Sequence, residues 1–428
     1  MTERIIKVDA LARVEGEGAL HLRFGPDGVA AELRIFEPPR YFEALLRGRE
    51  ATDAPDITSR ICGICPVAYI LGASHAVERA WGIETTPEIR ALRRLLYCGE
   101  WIQSHVLHAA MLHAPDFLGL PDAVEMARAR PETVRTALRL KKLGNAIMEA
   151  IGGRSVHPVN TRVGGFYAAP KREAISALVP ELDWAVGAAR SLALDFAGFD
   201  FPDLEGDDHF VSLIHPEVYP IEEGRIGSSR GLNIDVAEFH DHVAEEHLPH
   251  STALHGRMRD GSAYLTGPLA RWANNFDRLG PTARETAAAV GLGPVVRNPF
   301  KSILVRMVEV QYACEEALRL ARGYVPPAPP AAEAPPRAGL GDGATEAPRG
   351  LCHHRYETDA EGRIVTAVIV PPTAQNQPRI EADVARVAAG AEHLPDDALT
   401  ALCEQAVRNH DPCISCAAHF LTVTVERG

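Results

Sequence analysis

Apolar and polar residues first alternate along this chain. Ala19-Leu20-His21-Leu22-Arg23-Phe24 and Val29-Ala30-Ala31-Glu32-Leu33-Arg34-Ile35-Phe36 flank Gly25-Pro26-Asp27-Gly28, which predicts a β-hairpin. The period then becomes helical. Thr86-Pro87-Glu88 reads as a cap and first turn, followed by Ile89, Leu92, Leu96, Ile102, Val106 and Ala110 at near-helical spacing. Further long helical patterns cover about 132–151, 171–197 and 301–322, and helices of similar length suggest a bundle. Val325-Pro326-Pro327-Ala328-Pro329-Pro330 through Pro335-Pro336 cannot be helix interior and predicts an extended surface excursion at about 325–340, running out through Gly341-Asp342-Gly343 to Gly350. Residues 363–370 read as a buried strand stopped by Pro371-Pro372, and a last helix is expected from about Asp397 to Asn409. The expected fold class is α+β and mainly helical: a long-helix bundle core with small β-sheet regions near the N- and C-terminal segments. No internal repeat is visible, and residues 1–428 are expected to form one intertwined domain.

Composition narrows the class. With 46% apolar and 24% charged residues the chain is of ordinary globular type, and its net charge of −13 argues against nucleic acid as a partner. No run of eighteen apolar residues predicts a membrane span, so no direct membrane insertion is expected, and Met1–Asp9 lacks the apolar stretch of a secretory signal. Eight cysteines, half of them paired, resemble a cytosolic metal protein more than a disulfide scaffold, so a cytoplasmic location is expected; a subunit exported with a signal-bearing partner would read the same way.

The paired cysteines carry the chemistry. Cys62/Cys65 stand in Arg60-Ile61-Cys62-Gly63-Ile64-Cys65-Pro66, and Cys413/Cys416 in Asp411-Pro412-Cys413-Ile414-Ser415-Cys416-Ala417-Ala418-His419. Thiolates spaced in this way turn toward one point, so each pair is half of a four-sulfur metal site. Zinc ribbons usually set their pairs about fifteen to twenty residues apart, whereas 348 positions separate Cys65 from Cys413. The fold is therefore expected to bring its two ends together around one soft-ligand centre. Spacing alone leaves structural zinc, a redox dithiol and an iron–sulfur cluster open.

Neighbouring residues change the odds. Arg13-Val14-Glu15-Gly16-Glu17-Gly18 mixes acids with glycines that let backbone approach closely, and Ala347-Pro348-Arg349-Gly350 puts a guanidinium on a short rigid turn. With Leu46-Arg47-Gly48-Arg49 ahead of Arg-Ile-Cys-Gly-Ile-Cys, Glu346 before the arginine turn, and Asp-Pro-Cys-x-x-Cys-x-x-His at the end, these motifs span nearly the whole length. On them the chain closely resembles the large, catalytic subunit of nickel–iron hydrogenases. Pro66-Val67-Ala68-Tyr69 and Pro371-Pro372-Thr373-Ala374-Gln375-Asn376 are most similar to the cytoplasmic, multimeric members linked to NAD(P).

The resemblance implies reversible heterolytic oxidation of dihydrogen at a nickel held by Cys62, Cys65, Cys413 and Cys416. Cys65 and Cys416 would also bridge to an iron carrying carbon monoxide and cyanide, and soft sulfur donors suit such metals. Glu15 would relay the proton from Cys413, a task that suits a carboxylate whose pKa is raised by burial. Arg349 would hang over the metals with Asp116 and Asp411 holding it, since a buried guanidinium must be paired. Pro348 and Thr373 would lie beside the iron's ligands. Glu43, the Val368 carbonyl and His419 would hold a magnesium or iron ion that ties in the C-terminal segment. Electrons must leave, yet there is no second cysteine set and no glycine fingerprint between a strand and a helix. The expected partners are thus an iron–sulfur small subunit and a flavin/NAD(P) diaphorase module.

Some positions depart from the family pattern. Tyr69 stands where many members carry a histidine, and Pro372 where several carry a serine, so Thr373 or a backbone amide is expected to serve the second cyanide. Nine residues follow His419, and alternating Leu421, Val423 and Val425 predict a strand in a retained tail. The run His240, His242, His247, His250 and His255 fits no standard metal spacing. His105 and His108 share a helical face and are expected to be packed, while Cys98, Cys314 and Cys403 read as core residues. Two other readings are a non-catalytic assembly or proton-coupling subunit, against which the four retained cysteines argue, and a structural zinc protein.

Overall fold

The computed structural model describes residues 4–418; His419 and the tail lie outside the described residues. Strands Arg4–Val8 (β1), Gly18–Gly25 (β2) and Gly28–Ile35 (β3) form an antiparallel sheet in the order β1-β2-β3. The predicted hairpin is present, and Gly28 at φ 111° closes its turn in a conformation that L side chains rarely adopt. After the short helix Phe42–Leu46 (α1) comes Pro66–Trp81 (α2), with Pro66 in its first turn and Gly82 in the left-handed region ending it. α2 is buried on nearly every face, as a central helix must be. Pro87–Val106 (α3) begins where predicted: the Thr86 hydroxyl oxygen accepts the Ile89 N–H at 3.4 Å.

Helices α3, Pro131–Gly152 (α4), Val179–Phe196 (α5) and Ser302–Arg322 (α6) make the bundle. The helix expected over 171–197 is broken. Arg172–Ser176 stops before α5 because Pro180 has no N–H and its ring collides with the preceding turn. α3 and α4 cross closely through a glycine pair, since a Cβ on Gly99 would lie 2.9 Å from the Gly144 carbonyl oxygen.

A hairpin of Val243–His247 (β4) and Leu254–Met258 (β5) precedes the C-terminal sheet, which is antiparallel in the order Gly339–Ala347 (β6), Gly350–Thr358 (β7) and Ile364–Val370 (β8). β8 is the predicted strand. β6 corrects an expectation, because Gly341-Asp342-Gly343 is strand and not the end of a loop. Its alternate glycines face α2: a Cβ would fall 2.3, 2.0 and 2.2 Å from the carbonyl oxygens of Ala80, Ala76 and Gly72 at Gly339, Gly341 and Gly343 respectively. Strand period 2 thus meets helix period 4 along a seam with room for backbone only.

Pro372–Gly390 (α7) packs on β3, and Asp396–Arg408 (α8) packs on β1. The early and late segments are woven together, with Glu15 bridged to Cys413 and the Glu15 carbonyl accepting the Ile414 N–H at 3.0 Å. The proline-rich excursion is mostly exposed, but Ala331 is buried and bridges Gly165. No helix among the described residues is long and apolar enough to cross a membrane.

Candidate metal centre

Both cysteine pairs sit where a loop turns into a helix. Cys65 immediately precedes α2, and the Cys62 sulfur turns back to accept N–H groups of Ile64 and Cys65 at 3.3 and 3.4 Å. Cys413 immediately precedes the short helix Ile414–Ala417, after Asp411 has taken φ 52° to swing the chain inward. Arg40 ties the two loops together, donating to the carbonyl of Ile61 at 2.7 Å and to that of Ser415. All four sulfurs lie within 4.8 Å of one another: Cys62 to Cys413 is 3.5 Å, Cys65 to Cys416 is 3.6 Å and Cys413 to Cys416 is 2.7 Å. Sulfurs around a tetrahedral ion with bonds of about 2.3 Å stand about 3.8 Å apart.

The four thiols are buried and none is in a disulfide. Contacts with Cys413 and the other sulfurs pull Cys62 well below the ordinary thiol value, while burial and those same contacts push Cys413 well above it. Four buried sulfurs cannot all ionise side by side without a compensating cation. The donor set is soft and preassembled, and it fits a thiophilic transition metal.

Arg349 stands beside this cluster, fully buried. Its Nε donates to the Asp411 carbonyl at 2.9 Å, Nη2 to the Asp411 carboxylate at 3.0 Å and Nη1 to the Ser104 hydroxyl at 3.4 Å. Burial alone would lower its pKa, but Asp411 and the nearby sulfurs raise it well above the usual value and keep it charged. Its turn is pinned from behind. Glu346 accepts the Leu213 N–H at 2.6 Å and pairs with Arg271, which donates to the carbonyls of Ala347 and Pro348. Burial pushes Glu346 up to about 7, whereas Glu309, paired with the same Arg271, is pulled down to about 2 against its own burial. Pro348 therefore acts here through its carbonyl, as an anchor for the turn.

Asp116 is not where it was expected. Both of its carboxylate oxygens are taken by Arg408, at 2.7 and 2.9 Å, and Arg13 pairs with it as well. With this fork–fork pair in place it clasps the Glu15 loop to the end of α8, and Asp411 alone of the two acids holds Arg349.

Glu15 is half-buried against the cluster, its Oε2 3.0 Å from the Cys413 sulfur and accepting the Ser415 N–H at 3.1 Å. Thr373, in the first turn of α7, accepts the Cys413 N–H on its hydroxyl oxygen at 2.9 Å. On the far side of β8, the Glu43 carboxylate accepts the Ile369 N–H at 2.8 Å, which sets it next to Val368; His419 lies outside the described residues. Tyr69 is buried, and its hydroxyl has no hydrogen-bond partner among the described residues. His105 and His108 are buried as expected, each held neutral by burial, His105 at about 4.

Four contributors were missed in the sequence: Arg40, Ser104, Glu100 and Glu37. Glu100 is wholly buried and accepts the N–H groups of Val67 and Ala68 at 2.6 and 3.2 Å, which caps α2 beside Cys65; burial raises its pKa well above the usual value. A lone acid within the apolar run of α3 was the available signal. Glu37 accepts the Ser415 hydroxyl at 2.9 Å, behind Glu15.

The sequence profile described as nickel-dependent hydrogenase matches residues 40–145. Over 97% of its length the chain is 34% identical to the sulfhydrogenase 1 alpha subunit of Pyrococcus furiosus, of which 98% is covered. The chain belongs to the nickel-dependent hydrogenase family. Another relative is the beta subunit of the NAD-reducing hydrogenase HoxS of Cupriavidus necator, 28% identical over 98% of this chain and 95% of that one. A solved NAD+-reducing [NiFe]-hydrogenase in its H2-reduced state superposes with a TM-score of 0.85 at 26% identity, covering 97% of this chain and 99% of the other. The buried four-sulfur cluster of this chain is fit for a metal centre.

Proposed function

We propose that this hydrogenase chain is the catalytic subunit of a nickel–iron enzyme that oxidises dihydrogen reversibly, and that its whole length acts as one intertwined domain. One observation carries the reading. Cysteine pairs 351 positions apart converge with Arg349 and Glu15 against them. A zinc clasp needs neither a buried guanidinium nor a carboxylate on one sulfur.

Cys62, Cys65, Cys413 and Cys416 would hold the nickel, with Cys65 and Cys416 shared with an iron carrying carbon monoxide and cyanide. When bound, such a centre supplies heterolytic cleavage of dihydrogen. Glu15 takes the proton at the Cys413 sulfur, and behind it the Ser415 hydroxyl donates to Glu37. Arg349 keeps a fixed positive charge over the cluster, and Asp411 and Ser104 fix its plane. Thr373 holds the Cys413 backbone, and its hydroxyl proton is left to donate to a cyanide. Glu43 and the Val368 carbonyl, with His419, would hold a magnesium or iron ion. An iron–sulfur small subunit and a flavin-containing diaphorase module would carry electrons to NAD(P), a reading supported by the similarity to NAD-reducing enzymes.

Elemental analysis of the purified complex, with infrared spectroscopy, tests the reading. Nickel near one per chain with carbon monoxide and cyanide bands is expected; zinc at the cysteines without those bands would overturn it. Arg349→Lys should lower turnover by about 100-fold or more with nickel content unchanged, because an ammonium cannot copy the planar fork. Steady-state assay of hydrogen oxidation checks this, and unchanged kinetics would reduce Arg349 to a packing role.

A further inference from the structure

Among the described residues, two other groups of potential donors lie away from the sulfur cluster. In the first, His240, Asp342 and His353, the carboxylate is already taken. Arg355 Nε donates to Asp342 Oδ1 at 2.7 Å, and His353 Nε2 lies 3.2 Å from the same oxygen. A cation there would have to displace a guanidinium.

The second group is different. His250 lies in the turn between β4 and β5, His255 on β5 and Glu381 in the middle of α7, with their donor atoms all within 4.8 Å of one another. His250 Nε2 is 2.8 Å from Glu381 Oε1, and His255 Nε2 is 3.6 Å from that same oxygen. The Leu33 N–H of β3 donates to Oε1 at 2.9 Å and fixes the carboxylate. His255 is fully buried, and neither of its ring nitrogens has a hydrogen-bond partner among the described residues. A buried imidazole left with an unmatched lone pair and N–H is a costly arrangement that needs a cause.

The geometry points to a zinc(II) site built from His250, His255 and Glu381, with water in the fourth position. Two imidazoles and one carboxylate are a recurrent zinc donor set, and donors bonded at 2.0–2.2 Å in a tetrahedron stand about 3.4 Å apart. The contacts of 2.8 and 3.6 Å bracket that value. The side chains of His250 and Glu381 are 16% and 14% exposed, which lets solvent reach the ion from one side while His255 closes the other. Histidine spacing alone could not reveal the site, because the third donor comes from a different element 131 positions beyond His250.

The ion acts as a clasp. It fastens the β4–β5 hairpin to α7, against which the hairpin already packs closely: Tyr264, just beyond β5, donates to Gln375 at 3.0 Å, and a Cβ on Gly256 would fall 2.9 Å from the Gln375 Cα. The first turn of α7 carries Thr373, so the clasp steadies from a distance the helix that holds Cys413. This site does not depend on the hydrogen chemistry, and its donors touch none of the four cysteines.

The test uses the intact complex with its nickel centre loaded, treated with EDTA and titrated first with cobalt(II) and then with zinc(II). Wild type should take up about one equivalent of cobalt with the comparatively intense visible d–d bands of a tetrahedral ion and no sulfur charge-transfer band, then release it to zinc, with a rise in melting temperature. His250→Ala, at the more exposed donor, and Glu381→Gln, which keeps an oxygen for the Leu33 N–H, should weaken uptake by about 100-fold or more. Nickel content is measured in the same samples and should not change. Cobalt uptake by wild type no greater than that of the His250→Ala/Glu381→Gln double variant would overturn the site. Uptake accompanied by thiolate charge-transfer bands in every variant would do the same, since the metal would then lie at cysteine.

Discussion

Alanine in place of Cys416 should strip most of the nickel from the purified protein. The sulfur of Cys416 lies 3.6 Å from that of Cys65 and 2.7 Å from that of Cys413, so it sits at the centre of the donor set and not on its edge. Structural zinc sites in small finger domains gain roughly 10–16 kcal/mol from their metal, which sets the scale for a four-sulfur site. Losing one of four donors therefore removes about 3–4 kcal/mol, some two to three powers of ten in affinity. The remaining three sulfurs keep their burial but lose the closed geometry. Cys413→Ala should behave in the same way and also deprive Glu15 of its proton donor. Nickel measured by inductively coupled plasma mass spectrometry is the readout, with Cys314→Ala as control, a buried thiol within α6. Stoichiometric nickel in Cys416→Ala would contradict the ligand assignment.

Glu15→Gln separates metal loading from proton movement. The amide oxygen of glutamine can still accept the Ser415 N–H, so the loop that carries Cys413 and Cys416 should hold its shape and its metals. What disappears is a group able to accept a proton from the Cys413 sulfur 3.0 Å away. Loss of a positioned acid–base group lowers rates by about 100- to 10,000-fold, and turnover with a dye acceptor should fall in that range. Normal turnover with normal nickel would take Glu15 off the proton route.

The sequence made the site more legible than the architecture around it. The cysteine pairs, Glu15, Arg349 and Asp411 were readable because each sits in a short motif whose chemistry is local, and all of them meet. Asp116 was misassigned because Arg13 and Arg408 come from distant segments, and their claim on its two oxygens exists only after folding. Glu100 and Arg40 were passed over for the same reason, since they serve the cysteine loops across helices and not along the chain. Among the elements, the hairpin, α3 and β8 followed from period and caps. β6 did not: glycines ordinarily signal a turn, and only contact with the backbone of α2 explains why a strand needs them at alternate positions.

The distance along the chain between the two halves of the sulfur cluster also orders events in time. During synthesis Cys62 and Cys65 emerge long before Cys413 and Cys416, and until then α2 presents half a nest. Metal cannot be locked in by four donors while the ribosome is still adding the middle helices. Any ion enclosed by all four sulfurs could be shut in only after that last segment, arriving with Asp411, Cys413 and Cys416 together, has been made, and it would then serve as the bolt.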